Sequence, residues 1–112
     1  MKYTTHNDAP IDTNGTHLFG YIQATRAQLE VAFGPAEECG GEEDKVTTMW
    51  EIQFDNDSVA TIYDWKRYGQ GAPEPHELES WHIGALSKQA EWSVHEAFRS
   101  AHALGAPQRK AA

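Results

Sequence analysis

Between Val46 and Phe54 the chain alternates. Thr48, Trp50, Ile52 and Phe54 fall on one side, and Met49, Glu51 and Gln53 on the other. Successive side chains of a strand point to opposite faces, so this period of two marks a β-strand with one buried face. Asp55-Asn56-Asp57 follows with residues that tolerate the left-handed backbone of a tight turn, and Ser58–Tyr63 returns as a second strand. A three-residue turn sets Ala60 opposite Ile52 and Ile62 opposite Trp50. It gathers Val59, Thr61 and Tyr63 with Met49 and Glu51 on the second face. A four-residue turn would exchange the faces, so turn length decides which side of this hairpin is core.

The remaining elements are placed around that hairpin. Met1–Asn14 has no periodicity, and residues 1–15 read as a mobile lead-in. Thr16–Ile22 reads as a strand with Gly20 as a bulge or close-approach point. Thr25 and Gln28 have the spacing of a capping box; Leu29, Ala32 and Phe33 share a helical face, and Gly34-Pro35 ends the helix. Ala36–Asp44 is an acidic loop. Asp64–Ser80 is a loop carrying Gly69, Gly71, Pro73 and Pro75, and Trp81–Ile83 reads as a short edge strand. Ser87 caps a helix over Lys88–Leu104, with the stripe Leu86, Ala90, Val94, Ala97, Phe98, Ala101 and Leu104, ended by Gly105 and Pro107. Residues 106–112 read as a frayed tail. The expectation is one α+β domain over residues 16–105. Its antiparallel sheet has three or four strands, with two helices on one face, in the order β-α-β-β-(β)-α. The other face stays open and carries Glu51, Thr61 and Tyr63.

The 112 residues suit a single domain. No stretch approaches the roughly 20 apolar residues of a membrane span. The polar N-terminus lacks the apolar run of a signal peptide, and Cys39 is unpaired, so the expected location is the cytoplasm. The net charge of −8 is lopsided: residues 1–57 hold eleven acids against three bases, and residues 58–112 six of each. Binding to nucleic acid through phosphates needs a basic face, so that class is excluded. The acids Glu37, Glu38, Glu42, Glu43 and Asp44 read either as a solvated loop or as a surface for a basic groove on a partner.

Candidate chemistry is sparse. Cys39 stands among Glu37, Glu38, Glu42 and Glu43, whose field opposes the thiolate that nucleophilic catalysis needs. The six histidines show no i, i+4 pair and flank no Cys-x-x-Cys. His95 and His102 lie about 10 Å apart by helix rise. His76, Glu77, Glu79 and His82 would converge only through a special loop fold. Neither a metal nor a cofactor is expected. Asp64 with His82 is the best acid–base pair, both standing where strands meet loops. The competing role for Asp64 is structural, accepting backbone N–H bonds after the strand.

Aromatic residues give the stronger signal. Trp65, Tyr68 and Trp81 flank the Gly/Pro-rich loop, with Lys66, Arg67 and His82 beside them. They serve either to plug an open end of the core or to form a contact patch of the kind Trp and Tyr dominate. Lys66 and Arg67 would suit an anionic ligand such as a nucleotide. Trp92 lies nearly opposite the apolar stripe of the last helix, sharing its face with Glu96, Arg99 and Ala103. That placement points to self-association or a partner interface, or to a further segment folding over it.

The motifs VATIYDWK (Val59–Lys66) and WHIG (Trp81–Gly84) follow FGP (Phe33–Pro35) and the W-x-I-x-F strand Trp50–Phe54. This arrangement resembles a group of small proteins encoded by bacteriophages and prophages, across Thr16–Leu104. The resemblance implies a small protein that binds and blocks host machinery, and it carries over no site residue. Helix, FGP and hairpin in this order are also similar to the small lipoprotein domain of the outer-membrane assembly machinery, in architecture alone. The leading expectation is an acidic binding protein that inhibits a bacterial host factor by occupancy, such as a CRISPR or restriction defence system. It acts without chemistry, through Trp65, Tyr68, Trp81, Trp92 and the acidic half. The alternatives are a binder or sponge for a nucleotide signal, and a small enzyme using Asp64 and His82.

Overall fold

The computed structural model describes residues 2–40, 44–67 and 70–103. Among these residues, six strands and two helices follow one another as β1 (Tyr3–Thr5), β2 (His17–Thr25), α1 (Arg26–Phe33), β3 (Glu37–Glu38), β4 (Thr48–Phe54), β5 (Val59–Tyr63), β6 (Leu78–Ala85) and α2 (Lys88–His102). All pairings are antiparallel. The sheet order is β1-β4-β5-β6-β2, with β3 also on β4. This is the expected α+β class, with more strands than the three or four anticipated.

The hairpin takes the three-residue register, with Ile52 opposite Ala60 and Trp50 opposite Ile62. Asp57 adopts φ 68°, the left-handed conformation that closes the turn. Thr48, Trp50, Ile52 and Phe54 are accordingly all buried on the helix side. Trp81, Ile83 and Ala85 of β6 and Ile22 and Ala24 of β2 continue that face. From the helices come Leu29, Ala32 and Phe33 of α1 and Ala90, Val94, Ala97 and Ala101 of α2. Trp50 and Trp81 meet edge to face at 5.3 Å in the centre, and neither is exposed. Each indole N–H has a partner: Trp50 donates to the Gly34 carbonyl and Trp81 to that of Ala24. Both buried indoles therefore keep their polar handles satisfied.

The helix ends follow their local signals. Thr25 and Gln28 form a reciprocal capping box, and Ser87 accepts from the Ala90 N–H. Gly34 takes φ 82° after α1. Leu86 precedes α2 and is exposed instead of joining its stripe. Leu104, Gly105, Pro107 and the tail lie outside the described residues.

Three expectations change, one of them in the acidic loop, where Glu37–Glu38 pair with β4 as β3. The lead-in is anchored, because β1 pairs with β4 through Tyr3–Phe54, Thr4–Gln53 and Thr5–Ile52. The Tyr3 ring packs on Phe33 and Phe54, and its hydroxyl donates to the Ala32 carbonyl. One aromatic residue thus ties a segment without periodicity to the core. Trp81–Ile83 is the middle of an eight-residue interior strand between β5 and β2. Gly20 sits where the β2–β6 register shifts, and a Cβ there would come within 2.0 Å of a Glu91 carboxylate oxygen on α2. The glycine admits that close approach of helix to sheet.

Candidate functional site

With both helices on one side, the second face of the sheet is left to Met49, Glu51 and Gln53 of β4, Val59, Thr61 and Tyr63 of β5, His82 of β6 and Tyr21 of β2. His82 is directly opposite both Tyr21 and Tyr63 in the register. The Tyr21 ring meets it edge-on at 5.0 Å and the Tyr63 ring lies at 5.4 Å. Trp65 completes the group, stacking on His82 at 5.4 Å with 23° between planes and meeting Tyr63 at 6.2 Å.

Asp64 aims Trp65 outward. Its buried carboxylate accepts from the backbone N–H groups of Thr47 and Thr48, at 2.8 and 3.0 Å, and from the Thr47 hydroxyl at 2.5 Å. The Lys66 N–H donates to the Lys45 carbonyl, and Lys66 adopts φ 56°, rare for a residue with a side chain. These bonds fix the strand exit and turn Trp65 onto the open face. Lys45 and Lys66 hold their ammonium groups 5.9 and 5.7 Å from its ring centre.

Tyr21 is 54% exposed and Trp65 40% exposed. Exposed aromatics on the sheet face away from the helices, beside the part that Thr13 and Thr16 border, form a contact surface that the core does not require. Beside it a groove of about 330 Å³ runs past Trp65, Tyr63, Met49 and Thr61 to Glu51, with Thr13 and Thr16 on its far wall. Burial, then the charge of Glu37, raises the Glu51 carboxyl above its ordinary value. Burial raises Tyr63, with Tyr21 adding to it.

Burial lowers the His82 imidazole below its ordinary 6.5. Folding therefore disfavours the imidazolium. The cost is absent above pH 6.5, grows as pH falls through that value, and is complete below the folded-state pKa. Trp65 emission, taken as the difference between wild type and Trp65→Phe, should titrate with a midpoint under 6.5 and lose that transition in His82→Ala. A midpoint at or above 6.5 would contradict the arrangement.

The structure separates the other candidates. Trp81 belongs to the core, so its expected role in a contact patch is corrected. Its side chain faces the helices, on the sheet side away from Trp65. Arg67 is also withdrawn from ligand binding. It is buried, donates to Glu79 at 2.6 Å and to the Gly71 carbonyl at 3.0 Å, and pairs with Glu77 at 3.5 Å. It clamps the loop before β6. Tyr68, Glu42 and Glu43 lie outside the described residues. Trp92 is 65% exposed on α2, in the opposite layer from the aromatic cluster. Tyr21 and Lys45 join the cluster without having been singled out. Tyr21 reaches His82 only through the β2–β6 pairing, a contact 61 positions apart in sequence.

Asp64 has both carboxylate oxygens engaged by Thr47 and Thr48, the structural role anticipated as the competitor to acid–base chemistry. Among the described residues, no three His, Cys, Asp or Glu side chains gather where a metal ion would fit. No described helix is long and apolar enough to cross a membrane. Cys39 is exposed as a residue, yet its thiol is pushed up to about 11, first by burial and then by Asp64, Glu37, Glu38 and Glu51. Iodoacetamide at pH 8 should therefore alkylate Cys39 about tenfold to a hundredfold more slowly than the urea-unfolded chain. Equal rates would contradict that environment. No protein-family model matches the chain, and no curated protein matches it.

Proposed function

We propose that this protein is a binding module that works by occupancy, and that its contact surface is the open sheet face centred on Trp65 and His82. The carrying observation is the Tyr21–His82–Trp65–Tyr63 cluster: four rings in mutual contact on the side of the sheet away from the core, Trp65 stacked on His82, with Tyr21 and Trp65 exposed and His82 and Tyr63 half-buried. Aromatic anchors of this kind dominate the energetics of protein interfaces. The resemblance to phage-encoded proteins supports a bacterial host protein as partner, in the manner of an inhibitor of a defence system. Native mass spectrometry on tagged protein captured from a bacterial lysate tests this reading. A higher-mass species containing a host protein is expected, and it should vanish with Trp65→Ala. A bare mass in every lysate tried would count against the proposal.

A second reading is favoured by the two lysines over Trp65. With a groove bounded by Trp65 and Tyr63 at one end and Glu51 at the other, an anionic nucleotide could lay its base on the rings and its phosphate on Lys45 and Lys66. A thermal-shift screen against nucleotides decides it. A ligand present at 100 times its Kd adds about 2.7 kcal/mol of stability, and no shift from any nucleotide would remove this reading.

A further inference from the structure

The two edges of the sheet are built differently. On one side β4 is bordered by β1 and β3, strands of three and two residues, the latter being Glu37–Glu38. Short, charged edges are how proteins prevent strand addition. The opposite edge is β2, nine residues long, and its sequence HLFGYIQAT contains no Asp, Glu, Lys, Arg or Pro. The bulge between Leu18 and Gly20 interrupts only its beginning. Gly20–Thr25 runs in unbroken register against β6. Among the described residues, the main chain of Leu18–Gln23 makes hydrogen bonds only to β6, so the alternate N–H and C=O groups that point away from β6 are unpaired.

We propose that the Gly20–Gln23 segment of β2 pairs antiparallel with the same segment of a second copy, joining two sheets into one across a two-fold axis. A second copy is the occupant that the charge pattern selects. In a two-fold interface the same patch meets itself, so a strand carrying one sign of charge would face like charge. Two copies of a chain with net charge −8 repel each other wherever acidic segments meet. β2 is a long uncharged edge and escapes that repulsion. Pairing there covers Tyr21 and Gln23, which are exposed on the open face. It also sets the two Tyr21–His82 clusters on the same face of the joined sheet, so the dimer presents a doubled aromatic surface. The pairing does not depend on what that surface binds.

The test is sedimentation equilibrium over a concentration series, with hydrogen exchange at both ends of the series. Wild type should dimerise reversibly, and the Gly20–Gln23 amides that point away from β6 should gain protection as concentration rises. Gln23→Lys places two ammonium groups near the axis at an exposed position. It should weaken association about tenfold or more, with the monomer's melting temperature unchanged. Trp92→Ala should leave association as it was. A monomer at every concentration overturns the proposal. So does a dimer that survives Gln23→Lys, or one that Trp92→Ala dissolves, which would move the interface to the helix face.

Discussion

Replacing Trp81 by alanine should unfold the protein or cost about 3–5 kcal/mol of stability, whereas replacing Trp65 should cost about 1 kcal/mol and remove binding. The two tryptophans flank the same loop in sequence, but they stand on opposite faces of the sheet. Trp81 has no exposed surface, packs edge to face on Trp50, and donates its indole N–H to Ala24. Truncating it empties the centre of the core and removes the hydrogen bond to the Ala24 carbonyl. Trp65 stacks on His82 at the surface and loses little beyond that contact. Urea denaturation of both variants, alongside capture from lysate, checks the pair. A Trp81→Ala variant as stable as wild type would contradict the assignment of faces. So would a Trp65→Ala variant that unfolds.

Asp64→Ala is expected to be nearly as damaging, at about 3–5 kcal/mol. Two backbone N–H groups and the Thr47 hydroxyl all donate to this one buried carboxylate. Removing it leaves several buried donors unsatisfied together, each costly on its own. Asp64→Asn offers a sharper control. Its amide oxygen can still accept from the Thr47 and Thr48 N–H groups, and its NH2 can donate to the Thr47 hydroxyl after that group rotates. It should recover most of the stability, leaving a deficit of about 1–2 kcal/mol. Because Asp64 fixes the strand exit that aims Trp65, the alanine variant should also lose the His82-dependent change in Trp65 emission. Equal stability of the alanine variant and wild type would show that the carboxylate does not hold this exit.

Much of the fold was legible in residues whose signals are local. The period of two in Thr48–Phe54 and the Asp-Asn-Asp turn marked the hairpin and left two registers, of which the structure takes the three-residue one. Thr25, Gln28, Gly34 and Pro35 marked both ends of α1, and Gly20 marked the bulge. What escaped depended on distant partners. β1 is three residues long and is held by Tyr3 meeting Phe33, Phe54 and the Ala32 carbonyl, none of them near in sequence. β6 looked short because Leu78–Ser80 follows a proline-rich loop, and only pairing with β2 and β5 on both sides extends it.

The same distinction governs the site. Trp65, Lys66 and His82 were found from composition, because a Gly/Pro-rich loop lined with aromatics is conspicuous. Arg67 looked equally available, yet Glu77 and Glu79 lie ten and twelve residues on, and a loop fold was needed to bring them to it. Trp81 was ambiguous until its strand acquired neighbours on both sides. Tyr21 carried no local signal at all, since its membership of the cluster is created by strand order. Its exposure on an uncharged edge links the aromatic face to the edge through which a second copy is proposed to join.

The most direct measurement uses protein labelled with 15N at its tryptophans, titrated with the host protein that capture identifies. The four indole N–H signals separate cleanly in role. Trp50 and Trp81 are buried and hydrogen-bonded, Trp65 lies on the open sheet face, and Trp92 lies on the far face of α2. Occupancy of the open face predicts that the Trp65 signal shifts with saturation while that of Trp92 stays in place. A Trp92 signal that shifts while Trp65 holds still would contradict the account and put the contact surface on the helix side.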